Sequence, residues 1–160
     1  MSKRRRIFIH YGANKFDPEH QYRPYWCNRK PIGLWASAEK AQYGWKEWVE
    51  REQFHPESLE KEFKFTLSKQ AKILQVHKEK EIIPFLKNYN PNRERLFFNI
   101  CGSVTDFEDE LDLDRLYAEY DGIEVFMSED YIHFHNGLFN LWDVDSICVW
   151  NLDKVKPLES

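Results

Sequence analysis

The sequence predicts an α+β fold, because strand-like and helix-like segments are mixed along it without the regular strand–helix alternation of a doubly wound sheet. Two further observations agree. The chain has 160 residues, the length of one ordinary domain, and no repeat or low-complexity linker divides it, so a single domain over 1–160 is expected. Hydrophobic residues make up 42%, the usual share in folded globular chains, so disorder is not the default.

The elements follow from local pattern. Ile7-Phe8-Ile9 is short and apolar and predicts a first strand ending at His10-Tyr11-Gly12. From Asn14 to Pro31 the chain is rich in Pro, Asn, Arg and aromatics without periodicity, which predicts a long loop of the kind that usually carries function. Ile32 to Trp35 predicts a second strand. Ser37 is a good N-cap with Glu39 behind it, and Ala41, Trp45, Trp48 and Val49 recur at helical spacing through Glu52. His55-Pro56 breaks that helix. Phe63 to Leu67 alternates with period two, and Ala71 to Val76 predicts the next strand after a short polar turn. A short helix is expected over Glu79 to Leu86 and a polar loop over Asn88 to Arg93. Phe107, Leu111, Leu113, Leu116, Tyr117 and Tyr120 outline an acidic amphipathic helix that stops near Asp121-Gly122. Ile123 to Phe126, Tyr131 to Phe134 and Val144 to Trp150 complete the predicted strands, with Asn151-Leu152-Asp153 ending the last.

Composition limits the function. A net charge of −4 excludes the broad basic field typical of nucleic-acid binders. The run Lys3-Arg4-Arg5-Arg6 reads as a solvated tail in preference to a phosphate contact. No apolar h-region follows Met1, so no secretory leader is expected, and no stretch of about 18 apolar residues is present to span a bilayer. Cys27, Cys101 and Cys148 are widely spaced and fit reduced buried thiols, so a cytoplasmic protein is expected. Gly-rich phosphate loops, zinc-ribbon cysteine pairs and a nucleophile elbow are absent. His133 and His135 share a strand face but lack an evident third ligand, so they read as surface histidines and no metal is expected. Glu108 to Asp114 reads as the solvated face of a helix. The aromatic share, 16%, is mostly accounted for by core packing, which leaves only a few rings for a flat-ligand site.

Three segments stand out together: His10-Tyr11-Gly12, then Gly33-Leu34-Trp35-Ala36-Ser37 followed by Ala41-Gln42-Tyr43, and finally Trp142-Asp143-Val144-Asp145-Ser146 running into Ile147-Cys148-Val149-Trp150. In order and spacing they resemble the ADP-ribosyltransferase clan, in its poly(ADP-ribose) polymerase and diphtheria-toxin-like branch. They are also similar to a group of bacterial and phage proteins that share the GLWAS and W-D-x-[DE]-S segments. The resemblance implies a split β-sheet with flanking helices and NAD held, as a substrate, in the cleft between its halves. Carried over by position, it implies His10 for the ribose hydroxyl and amide side of NAD, with Tyr11 and Gly12 beside it. Trp35 and Tyr43 would flank the nicotinamide ring, Ser37 would lie near the carboxamide, and Asp145 would be the acid. Asp143 is the second candidate acid and Glu124 the third. The sequence departs from the family pattern in Trp35, where Tyr is usual, and in Asp145, where Glu is usual. Asp is shorter by one methylene, about 1.5 Å, and about 1 Å of misplacement can cost roughly a hundredfold in rate.

The chemistry suits a chain without an evident acid pair. Nicotinamide leaves as a neutral molecule, so one carboxylate suffices to hold the ribose 2′-hydroxyl and stabilise an oxocarbenium-like sugar. Rings on either side of the cationic pyridinium gain from area and cation–π attraction. The resemblance therefore implies transfer of ADP-ribose to a macromolecular acceptor, a protein or a nucleic acid. The loop from Phe16 to Lys30, with Arg23, Tyr25, Trp26 and Arg29, is the expected acceptor contact. The alternatives are an inactive binding protein of the same fold, acting on a partner in counter-defence or in a toxin–antitoxin pair, and an RNA 2′-phosphotransferase-like enzyme.

Overall fold

A computed structural model describes residues 5–20, 31–41, 44–77, 113–126 and 144–159 of the chain. Among these residues, strands β1 (Phe8–Tyr11) and β2 (Leu34–Ala38) precede helix α1 (Trp45–Glu52) and a 3-10 turn (Pro56–Glu60). Strands β3 (Glu62–Leu67) and β4 (Ile73–Val76) come next, then helix α2 (Leu113–Glu119) and strands β5 (Gly122–Val125) and β6 (Ser146–Val149). A second 3-10 turn (Leu152–Lys154) leads into β7 (Val155–Pro157). The fold is a mixed α+β protein built on a seven-stranded sheet of order β4-β5-β6-β2-β1-β3-β7. Every pairing is antiparallel except β4 with β5.

Side-chain alternation explains the layers. The register sets Phe8 opposite both Ala38 and Phe65, Ala36 opposite Ile147, and Leu34 opposite Val149. These residues share one face and, with Phe63 and Val155, form a single apolar cluster. Each fully buried Phe, Leu, Ile or Val there contributes about 1.5–3 kcal/mol. By the same alternation Ile9, Tyr11, Trp35, Ser37 and Cys148 line the opposite face. That face meets the helices: the Trp45 N–H donates to Ser37 Oγ at 2.9 Å, and the Ile32 N–H donates to the Tyr117 hydroxyl at 2.9 Å. Trp150 extends the same row, with its ring edge-on to Tyr117 and its indole N–H donating to the Tyr120 carbonyl.

The sheet changes partners along β2. The first three residues of β2 pair with β6 through Leu34, Trp35 and Ala36, whereas its last two, Ser37 and Ala38, pair with Ile9 and Phe8 of β1. Strand β1 stays with β3 over its full length, His10 opposite Phe63 and Tyr11 opposite Glu62. It therefore parts from β2 at His10. Two half-sheets result, hinged on Ser37 and Ala38.

Several sequence expectations shift. The strand expected at Ile7 to Ile9 runs Phe8–Tyr11, and that expected at Ile32 to Trp35 runs Leu34–Ala38. Ser37 is accordingly a strand residue and not the N-cap of α1, which begins eight residues later behind Gly44. The misreading has a physical root. Gly44 has no side chain to cap with, so the Ser37 hydroxyl, arriving from the sheet, accepts the first helical N–H instead. After Asn151 the chain does not end its ordered structure but adds β7 beside β3, with Lys156 opposite Thr66. Helix α2 does stop just before Asp121-Gly122, as expected. The elements expected at 79–86 and 131–134, the start of the helix at 107–112, and most of the loop at 14–31 lie outside the described residues.

Two glycines set the spacing around β6. A Cβ on Gly33 would lie 2.5 Å from the Val149 carbonyl oxygen, and one on Gly122 would lie 2.6 Å from that of Cys148. Both contacts are with backbone, so neither is relieved by a side-chain rotation. The Gly of Gly-Leu-Trp is thus the residue that lets β2 reach β6.

Candidate functional site

The parting of β1 from β2 is where the motif residues gather. At the step after the last paired residue, Ile9, the backbone of β1 no longer reaches β2, and the His10 side chain bridges the gap: its Nδ1–H donates to the Trp35 carbonyl oxygen at 2.7 Å. A carbonyl only accepts, so Nδ1 carries the hydrogen, and in the neutral ring Nε2 is an acceptor. Burial pushes the imidazole below its ordinary value, the bond to Trp35 opposes this, and the charge of His20 adds to the lowering. The ring is consequently neutral near pH 7. It tilts against Phe63 at 5.0 Å, on the apolar face of the sheet.

Trp35 lies on the other face, next to Cys148 in the register. Its indole N–H donates to the Pro31 carbonyl at 3.2 Å, and the buried Cys148 thiol approaches the same oxygen at 3.7 Å. The ring is therefore oriented by main chain, and it remains half-buried. Extending the β1–β2 register by two residues would set Tyr11 across from Trp35 on the same face. Tyr11 is half-buried, and its phenol is pushed up to about 12 by burial first and then by the carboxylates of Glu62, Glu47, Glu50 and Glu39. Gly12 follows in an exposed position at φ 108°, a backbone region that favours glycine, with its N–H donating to the Lys61 carbonyl.

Ser37 connects this seam to the acid. Its hydroxyl donates to the Asp145 backbone carbonyl at 2.9 Å while accepting the Trp45 N–H. With its proton engaged there, Ser37 has only its second lone pair for a ligand, so its described role is to join three elements. Asp145 sits at the entrance to β6 and is 5% exposed. A chain of two hydrogen bonds and one short stretch of β2 thus links His10, Trp35, Ser37 and Asp145, residues separated by 25 and 108 positions at the two bonded steps. The pleat divides them, with His10 on one face and Trp35, Ser37 and Tyr11 on the other. Tyr43 and Asp143 lie outside the described residues, as do His133 and His135 and, but for Phe16 to His20, the loop to Lys30 expected to meet an acceptor.

Glu124, the third candidate acid, belongs to a different constellation. It lies on β5 opposite Ile147, is 2% exposed, and its Oε1 accepts from Arg6 Nη1 at 2.7 Å and from His77 Nε2 at 3.0 Å. Burial works to raise its pKa, but the bonds to His77 and Arg6 outweigh it, and the carboxyl is held below its ordinary value. Arg6 is not a solvated tail residue as the basic run suggested. Its guanidinium lies over the rings of Phe8 and Phe126, and His77 stacks on Phe126 at 3.8 Å between centroids. Sequence reasoning missed both Arg6 and His77. Their signal was the two-residue step Arg6-x-Phe8 and Gln75-x-His77 on the face that carries Glu124, legible only once the strand pairing is known.

No cluster of three or more His, Cys, Asp or Glu able to hold a metal is present among the described residues, and no described helix is long and apolar enough to cross a membrane. No family model, curated protein or solved structure matches the chain.

Proposed function

We propose that the chain is an NAD-dependent ADP-ribosyltransferase whose site is the opening between β1 and β2, with Asp145 as the acid. The observation that carries this reading is the hydrogen-bonded line from His10 on β1 through Trp35 and Ser37 on β2 to Asp145 at the entrance to β6. It joins the described parts of the three motif segments where β1 and β2 part.

The residues divide the work by chemistry. Neutral His10, with its Nδ1–H given to the Trp35 carbonyl, offers Nε2 as an acceptor suited to a ribose hydroxyl. Trp35, its indole N–H tied to Pro31, offers an oriented flat face for the pyridinium ring. Tyr11 stands on that same face with its phenol protonated, which adds it to the residues proposed for the nicotinamide side. Asp145 stabilises the ribosyl cation as nicotinamide departs, and the acceptor nucleophile, a protein or nucleic-acid group, then takes C1′ of the ribose. The carboxylate holds the 2′-hydroxyl throughout, and no general acid is needed for a neutral leaving group.

The test is nicotinamide release from NAD by the pure protein, alone and with cell lysate, against Asp145→Asn. Release by the native protein and its loss in the variant is the expected result. A specific observation favours a second reading, an inactive binding protein of the same fold: Asp145 is only 5% exposed and carries a side chain one methylene shorter than Glu. Absence of release in every condition, with the folded protein capturing a partner from lysate, would decide for that reading.

A further inference from the structure

We infer that the chain carries a separate site for a phosphate monoester borne on a small ring, in the cavity over β4, β5 and β6 on the apolar face of the sheet. The cavity has a volume of about 240 Å³ and lies against Glu124, Gln75, Ile73, Ile147 and Phe8, with Arg5, Arg6 and Lys69 among its lining residues. It is distinct from the opening between β1 and β2, whose Trp35 and Ser37 face the helices.

Three features define the ligand. The first is charge. Glu124 compensates Arg6, which leaves the positive charges of Arg5 and Lys69 in excess, and neither has a carboxylate partner among the described residues. Two cations without a carboxylate partner among the described residues match a phosphate monoester, which carries close to two negative charges near neutral pH. The second is preorganisation. One N–H of Arg6 is bound to a buried carboxylate and its plane is held over Phe8 and Phe126, while the side chain stays 45% exposed. The guanidinium has five N–H donors in a fixed fork, so those not given to Glu124 are aimed without further ordering cost. The third is shape. The floor of Phe8, Leu67, Ile73 and Ile147 is apolar and calls for a ring or hydrocarbon body behind the anionic head. The volume lies below the about 300–1,000 Å³ of pockets that enclose drug-sized ligands, so the body is at most one nucleoside and not a dinucleotide.

The buried carboxylate supports the same conclusion. Sinking Glu124 to 2% exposure costs desolvation that an apolar residue of similar volume would avoid, often with a gain in stability. Its presence is explained by what it does to Arg6, which it fixes at the cavity wall. A free mononucleotide and the 5′-phosphorylated end of a polynucleotide both present the inferred chemistry.

The test is calorimetric titration of the full chain with AMP, adenosine, inorganic phosphate, and an oligonucleotide with either a 5′-phosphate or a 5′-hydroxyl end. Saturable one-to-one binding of AMP, about tenfold weaker in Lys69→Gln and weaker again when Arg5→Gln is added, is the expected result. Both positions are exposed, so the variants retain the fold. Preference of the oligonucleotide for its phosphorylated end identifies the polynucleotide source, and binding confined to AMP identifies the free nucleotide. Adenosine binding as tightly as AMP, no saturation by any phosphate-bearing ligand, or undiminished AMP affinity in the double variant overturns the inference. Asp145→Asn should leave AMP binding unchanged and Lys69→Gln should leave nicotinamide release unchanged, so this site and the proposed NAD site fail separately.

Discussion

Asp145 and Glu124 are both acids pressed into the interior, 5% and 2% exposed, at the entrance to one strand and in the middle of its neighbour. The fold treats them differently. Glu124 lies in mid-strand with a guanidinium and an imidazole on one carboxylate oxygen, and Asp145 lies at the strand entrance, where its backbone carbonyl accepts from Ser37 and ties β6 to β2. Burial by itself therefore does not mark a catalytic acid. A buried acid held by a guanidinium and an imidazole is a structural anchor, and one placed beside the joint of two half-sheets is a candidate for chemistry.

The largest effect that tests this contrast is expected at Glu124. Glu124→Ala strips the partner from Arg6 and His77 and should lower unfolding stability by about 3–5 kcal/mol, toward the lower end because Arg6 can turn to water. Urea denaturation measures it. A loss below about 1 kcal/mol would rank Glu124 with ordinary surface acids and remove the difference between the two residues. Asp145→Asn tests the other side. The amide is isosteric and keeps the backbone carbonyl that Ser37 bonds, so the tie between β2 and β6 is retained. Nicotinamide release should fall at least about a hundredfold, close to 2.7 kcal/mol in the barrier. Unchanged release would mean that the acid is elsewhere.

Ser37 sharpens the comparison at the seam. Ser37→Ala leaves the Trp45 N–H and the Asp145 carbonyl without their described partner and should cost about 1–3 kcal/mol in stability. Ser37→Thr, which keeps the hydroxyl, should recover part of it. If Ser37→Ala is neutral in denaturation but weakens NAD binding, the hydroxyl serves the ligand and not the joint.

Local pattern made much of this legible. Alternation at Phe63 to Leu67 marks β3, Asp121-Gly122 marks the end of α2, and the order of the three motif segments is plain in a sequence that does not show β1, β2 and β6 to be neighbours. What stayed hidden depends on pairing across long separations. Ser37 reads as an N-cap by its residue type, and only the sheet reveals that it caps α1 from β2. Arg6 reads as tail because its two ring neighbours and its acid lie on other segments, Phe126 and Glu124 being remote in sequence. The pleat is equally silent in a motif. His10 and Trp35 read as two walls on one side of the sheet, and only the register at Ile9 and Ser37 shows that they stand on opposite faces, one on each side of the parting between β1 and β2.

The smallest expected effect concerns that last pair. His10 has a folded-state pKa below the ordinary 6.5, chiefly because burial disfavours the charged ring. The unfolded chain then binds the proton more tightly, so stability rises with pH across this window. The contribution is complete above about 6.5 and is lost as pH falls through the depressed folded value. His10→Asn preserves a donor for the Trp35 carbonyl and removes the titration, so the difference in urea midpoint between native protein and variant should narrow from pH 8 to pH 5. In the same range the native KM for NAD should rise on acidification, because a protonated Nε2 can no longer accept from a ribose hydroxyl, while the variant's KM should stay level. A variant whose midpoint and KM follow the native profile would separate His10 from both the seam and the ligand. Tyr11, on the face of Trp35, would then be all that β1 brings to the site.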